Sequence, residues 1–165
     1  MSKPIKTINT YGDTFYELNG KRHRTDGPAV EYPDGYKEWW VNGELHRTDG
    51  PAIERADGGK SWWFNDLRHR TDGPAVEYAD GYKAWWVNDV RHREDGPAIE
   101  YHNGDKEWWM NGKRHRENGP AVEYTNGNKL WYINNKKITI RSHQDFINQY
   151  PYLVNQFLAH QVLNE

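Results

Sequence analysis

Aromatic and β-branched residues in this chain gather in short clusters, and Gly, Asn, Asp and Pro separate the clusters at a fixed step. Ala29-Val30-Glu31-Tyr32 is followed, across Pro33-Asp34-Gly35, by Lys37-Glu38-Trp39-Trp40-Val41. Both runs are short, rich in β-branched and aromatic residues and bounded by turn formers, which predicts two strands of a hairpin. Copies of the turn at Ala79-Asp80-Gly81 and Asn126-Gly127 place Gly or Asn where positive φ is required. Asn42-Gly43 and Asn111-Gly112 are two-residue type I′ signals. Asp26-Gly27-Pro28 marks a third break, and Leu45-His46-Arg47 predicts a short third strand or an extended connector.

The pattern is a repeat of 23 residues, starting at Asn19, Asn42, Asn65, Asn88 and Asn111 without an insertion. A sixth start at Asn134 decays at once, and Gly12 to Leu18 falls in the register of Gly35 to Val41. This predicts an all-β tandem-repeat array over residues 1–141: a degenerate unit 1–18, then repeats 19–41, 42–64, 65–87, 88–110 and 111–133. The expected architecture is a single row of antiparallel β-hairpins forming an elongated twisted sheet. Two strands per repeat advance it by roughly 10 Å, giving a body on the order of 50–60 Å.

Alternation assigns faces. Lys37, Trp39 and Val41 share one, and Glu38 and Trp40 the other. Trp occupies the position of Trp39 in every repeat, so Trp39, Trp62, Trp85, Trp108 and Trp131 are expected to stack as one buried ladder, among the most buried residues of the chain. The second ring is expected on the opposite face, partly covered by Arg or Lys stems.

The period changes after residue 141. Ser142-His143-Gln144-Asp145 resembles a capping box, and Phe146, Ile147, Tyr150, Leu153, Val154, Phe157 and Leu158 recur at helical spacing, with Pro151 kinking the helix or opening a second one. Residues 142–165 are therefore expected to form a short C-terminal α-helical cap, folded over the last hairpin near Trp131 and Ile133 and covering its edge. The competing reading is a helix for homodimerisation or partner docking.

Composition changes the picture in three respects. Only 35% of residues are hydrophobic, yet there are nine Trp and eleven Tyr, so a few large rings must supply most of the covering. A net charge of −2 with 28% charged residues opposes a general trap for nucleic acid or anionic membrane. Cys is absent, which excludes disulfides and thiolate metal sites and fits a cytoplasmic protein. No apolar core of a signal peptide lies in Met1 to Gly12, and no stretch has the length of a transmembrane helix.

The repeat resembles the MORN repeat, and more closely its variant subgroup from bacteria, bacteriophages and large DNA viruses. The 23-residue period, Asn19-Gly20-Lys21-Arg22-His23 and Asp34-Gly35 before an aromatic strand carry the likeness, from about Gly12 to Ile138. The chain departs from the standard pattern: Asp-Gly-Pro-Ala and the double Trp stand where Gly-x-Gly after the His and a Gly in the aromatic strand belong. The resemblance implies a row of hairpins with a binding or scaffolding role. The subgroup's distribution implies a bacterial or phage source and, for a phage protein, an accessory factor that inhibits a host factor in the host cytoplasm. Membrane-lipid binding is not expected, because the departures fall in the family's own motif.

Two polar elements invite chemistry. His23/Asp26, His46/Asp49, His69/Asp72, His92/Asp95 and His115/Asn118 form a His-Arg-x-Asp series. At roughly 10 Å per step, no two of these His can share a metal. The series is expected to hydrogen-bond backbone at the turns, with no catalysis, metal or cofactor. Arg22, Arg24, Arg47, Arg68, Arg70, Arg91, Arg93, Arg114 and Arg116 form a basic ladder, and Asp and Glu in each repeat favour internal ion pairs over a polyanion site. No nucleophile elbow, phosphate loop or zinc signature is present, so the chain reads as a non-enzymatic protein that recognises another macromolecule, most directly a protein. The candidate partner surface is Arg24, Arg47, Arg70, Arg93 and Arg116 with Trp40, Trp63, Trp86, Trp109 and Tyr132. The alternative is a nucleic-acid or nucleotide binder using that arginine ladder and exposed rings.

Overall fold

The computed structural model describes residues 3–139 together with Ile147, Asn148, Tyr150 and Pro151. The chain divides into two compact units, residues 1–90 and 91–165, and 22 short strands lie among the described residues.

In the first unit the main sheet is a linear, open succession of antiparallel strands. Ile5–Ile8 pairs with Thr14–Leu18, which pairs with Val30–Glu31. Lys37–Glu38, Ile53–Glu54, Lys60–Ser61, Val76–Glu77 and Lys83–Ala84 follow in order. The second unit repeats the scheme with Ile99–Glu100, Lys106–Glu107, Val122–Glu123, Lys129–Ile133 and Lys136–Ile138. Cross-strand partners share a face. Val30, Glu38, Ile53, Ser61, Val76 and Ala84 thus line one face of the first unit, while Glu31, Lys37, Glu54, Lys60, Glu77 and Lys83 alternate in charge along the other. Opposite charges directly across strands favour this register over a slipped one.

The aromatic strand expected over Lys37–Val41 is split. Lys37–Glu38 belongs to the main sheet, whereas Trp40–Val41 forms a side hairpin with Glu44–Leu45. Trp39 lies between them, its N–H donating to the Ala52 carbonyl at 2.8 Å and its carbonyl accepting from His46 N–H at 3.0 Å. Both partners sit in the next repeat, so Trp39 is where the backbone changes sheet. Trp63–Phe64 with Leu67–Arg68, and Trp109–Met110 with Lys113–Arg114, repeat the arrangement. The end strands Thr14–Leu18 and Lys129–Ile133 run uninterrupted.

Each side hairpin turns on two residues with positive φ, as the type I′ geometry requires: Asn42 (55°) and Gly43 (85°), for example. Asp66 and Asp89 accept φ of 61° and 62° in place of Gly, and their carboxylates gain a partner in the preceding repeat. Asp66 accepts from Leu45 N–H at 2.7 Å, and Asp89 accepts from Arg68 Nε–H at 2.6 Å.

Among the described residues, most of the buried apolar positions come from the Pro-Ala-Val/Ile segment, with Ala84 also 0% exposed. Ala29, Ala52, Ala75, Ala98 and Ala121 are each 0% exposed, with Val30, Ile53, Val76, Ile99 and Val122 beside them. This corrects the expected tryptophan ladder. Trp39, Trp62, Trp85 and Trp108 are only partly buried, and Trp131 alone of the five is buried, at 8% exposure. The covering group is the reason: a guanidinium lies over the ring, and a plane that small leaves ring edges in water. Around Trp131 the packing is apolar instead, from Ile138, Ile133 and Tyr150. The cap expected over 142–165 otherwise lies outside the described residues. No helix among the described residues is long and apolar enough to cross a membrane.

Candidate functional site

The double Trp supplies two ring positions per repeat, and arginine covers both. At the first, Arg24 stacks over Tyr16, Arg47 over Trp39 and Arg70 over Trp62 in the first unit, and Arg116 over Trp108 in the second, with the guanidinium carbon 3.8–4.0 Å from the ring centroid. Each guanidinium is then fixed by polar partners. Arg70 donates through Nε to Asp72 at 2.8 Å, and through Nη1 to the Pro74 carbonyl at 3.2 Å and to Glu77 at 3.0 Å. Arg24, Arg47 and Arg93 make the same three bonds, and Arg116 makes them with Asn118 in place of the Asp. These guanidinium bonds hold the carboxyls of Asp26, Asp49, Asp72 and Asp95 below their ordinary value. For Arg24 they outweigh the opposing effect of burial, and its pKa is raised. The Asp of the His-Arg-x-Asp element thus serves the Arg first, with a smaller contribution from a backbone hydrogen bond at the turn.

This packing explains the Gly of Asp-Gly-Pro. A Cβ on Gly73 would lie 2.8 Å from Arg70 Cζ, and Gly27 and Gly96 are blocked at the same distance by their own arginines.

The second position uses the other ring of the pair: Arg68 covers Trp86 at 3.8 Å, and Arg114 lies between Trp109 and Tyr132 at 5.1 and 5.6 Å. Arg22 covers Phe15 at 4.1 Å, a ring that stands in the register of Glu38. Indole N–H groups are satisfied from the main sheet: Trp40 by Glu38 at 2.7 Å, Trp63 by Ser61 at 2.8 Å, and Trp109 by Glu107 at 2.7 Å. Glu38 also accepts from the Tyr36 hydroxyl at 2.7 Å. Burial, then that carboxylate, raise the Tyr36 pKa. Nearly buried Glu107 takes Tyr101, Trp109 and two bonds from Arg114.

The His series joins each repeat to the next. The N–H groups of Asn42, Asn111 and Asn134 donate to Nδ1 of His23, His92 and His115 at 3.1–3.2 Å. His46 and His69 meet the side chains of Asn65 and Asn88. Among the described residues, no group of three or more His, Cys, Asp and Glu is arranged to hold a metal ion.

Of the ten candidate surface residues, the five arginines are thus committed internally, at about 21% side-chain exposure for Arg70. Trp40, Trp63, Trp86, Trp109 and Tyr132 are half-buried. What sequence reasoning missed lies at the type I′ edge of the first unit. Phe64 (44% exposed) pairs across its hairpin with Leu67 (42%), and Val90 (40%) is exposed as well. Phe64 sits 4.6 Å from the His46 ring and 6.2 Å from His69. The signal was in the repeat: the position of Leu67 reads Lys21, Glu44, Leu67, Val90, Lys113, apolar only in the third and fourth of the five repeats.

No protein-family model matches the chain, and no curated protein is similar to it at a significant level.

Proposed function

We propose that this chain is a non-enzymatic repeat scaffold that recognises another protein through the type I′ edge of its first unit. The observation that carries this reading is the contrast between the two kinds of side chain a partner would use. Arg24, Arg47 and Arg70 are each tied to a ring, a carbonyl and two carboxylates, Arg93 to a carbonyl and two carboxylates, and Arg116 to a ring, a carbonyl, Asn118 and Glu123. Phe64, Leu67 and Val90 stand in solvent on a backbone fixed by hydrogen bonds between repeats. Exposed apolar side chains on a rigid support, rimmed by the polar groups Glu44, Asp66 and Asp89, have the composition of a protein-binding surface. The resemblance to the variant repeats of phages and bacteria adds that the partner is a host factor, held and inhibited by an accessory protein.

Affinity capture from the native host with the wild type and with Phe64→Glu/Leu67→Glu tests the reading. A stoichiometric protein held by the wild type, lost with the double variant and retained as salt rises from about 50 to 200 mM, is the expected result, because an apolar interface depends little on ionic strength whereas phosphate contacts lose affinity steeply. Capture that is unchanged by the double variant contradicts it.

A further inference from the structure

Among the described residues the three most exposed large apolar side chains, Ile5 (70%), Ile8 (61%) and Tyr11 (84%), all lie in the first hairpin. Its outer strand, Ile5–Ile8, pairs with Thr14–Leu18 and is exposed at all four positions. An apolar outer edge of this kind is what folded proteins ordinarily cover or charge, since its N–H and C=O groups template a further strand.

The pairing rules decide which groups point outward. Asn9 N–H donates to the Asp13 carbonyl at 3.1 Å, and hydrogen-bonded pairs alternate along an antiparallel ladder. With Ile8 opposite Thr14 and Lys6 opposite Tyr16, the inward bonds fall on Ile5, Thr7 and Asn9. The outward N–H and C=O groups belong to Lys6 and Ile8. Tyr16 conforms, sending its N–H away from this strand to the Ala29 carbonyl at 2.8 Å.

We propose that this edge is the docking site for a second copy of the chain, in two-fold antiparallel pairing centred on Thr7. A two-fold axis normal to the sheet keeps each residue on its own face, so only residues of the same parity can stand opposite one another. Pairing centred on Lys6 sets Lys6 against its own mate and Ile8 against Pro4, which has no N–H to give. Pairing centred on Ile8 carries Lys6 onto Thr10, in the turn. Pairing centred on Thr7 sets Lys6 opposite Ile8 of the mate and Ile8 opposite its Lys6, so all four outward pairs of groups bond. Thr7 then faces Thr7 at the close, non-hydrogen-bonded position, where cross-strand Thr pairs are favourable. Head-to-tail addition that sets Lys137 of another copy opposite Lys6 is disfavoured by like charge. The lone charge of the strand and Pro4 thus select the register.

Sedimentation velocity of the full chain over a wide concentration range tests the proposal, with circular dichroism as the check on folding. The wild type is expected to shift toward twice the chain mass as concentration rises. Ile8→Pro removes an outward donor while leaving the inner ladder intact, as edge proline does, and is expected to remain monomeric. Ile8→Lys sets like charges across the axis and is expected to do the same. Lys6→Glu combined with Ile8→Lys sets opposite charges across it and restores the dimer only in the Thr7-centred register. A wild type that stays monomeric throughout overturns the proposal. Dimerisation that persists in folded Ile8→Pro, or fails to return in the double variant, overturns it equally.

Discussion

Arg70→Lys separates a fork that locks two repeats from a charge that merely sits between them. Arg70 stacks 3.9 Å from the Trp62 ring of the preceding repeat, and donates to the Pro74 carbonyl and to Glu77 at 3.2 and 3.0 Å. Stacking on a partly desolvated indole is worth about 1–2 kcal/mol. The bonds to Pro74 and to a half-buried carboxylate add about 1–2 kcal/mol together once exchange with water is allowed for. Asp72 is 82% exposed, so its pair adds little beyond orientation. A lysine preserves the charge but cannot lie flat on the ring while bonding at both its edge and its tip. We expect Arg70→Lys to cost about 2–3 kcal/mol, and Arg70→Ala about a kcal/mol more as the stem packing is lost. Urea unfolding followed by tryptophan fluorescence and by far-ultraviolet circular dichroism measures this. An Arg70→Lys protein within about 0.5 kcal/mol of the wild type, the usual spread for an exposed substitution, refutes the reasoning and reduces the ladder to an array of surface charges.

Three other outcomes are expected. Gly73→Ala forces its Cβ to within 2.8 Å of a guanidinium that has four partners; it should cost about as much as Arg70→Lys, and little when combined with Arg70→Ala, a non-additivity that a double-mutant cycle reads directly. Asp26, Asp49, Asp72 and Asp95 have folded pKa values below their ordinary 3.8, so the folded state binds fewer protons than the unfolded one. Their contribution is present above that value and is lost as pH falls below it; replacing all four by Asn, as Asn118 does naturally, should flatten the acid limb of a melting-temperature profile. Asp66→Gly keeps the turn conformation but deletes the acceptor for Leu45 N–H, and should lower stability by about 1 kcal/mol, read by thermal melting; an unchanged melting temperature would show that water replaces the bond.

The repeat boundaries, the turns and the hairpins could be read from the sequence because each is fixed by local chemistry. Asn-Gly at a type I′ turn and Asp-Gly at the other require no knowledge of distant residues, and Asp34-Gly35 turned where it was expected. The sheet change at Trp39 could not be read, because its cause is two hydrogen bonds to the following repeat, at Ala52 and His46. The error over the tryptophan ladder came from treating a large apolar ring as core by size alone. In a row of short strands there is room for Ala29 and Val30 at the centre, and the rings cover the outside with arginine laid over them. Arg24 and its repeats were candidates for a partner surface because they recur as a basic ladder, and the internal ion pairs favoured for that ladder are present in every repeat. Phe64 and Leu67 are not legible from the repeat because they depart from it, Phe64 standing where Val41 and Val87 do and Leu67 where Lys21, Glu44 and Lys113 do.

On the function proposed above, the arginine ladder is committed inside the fold and the partner is a protein rather than a polyanion. Fluorescence anisotropy of labelled single- and double-stranded oligonucleotides, titrated with the intact protein at about 50 mM salt where phosphate contacts are strong, tests it most directly. The account predicts no saturable binding to either strand form. Saturable binding that weakens steeply with salt, with a slope equivalent to several phosphate contacts, and that is lost on Arg47→Ala or Arg93→Ala in a protein that stays folded, would contradict it.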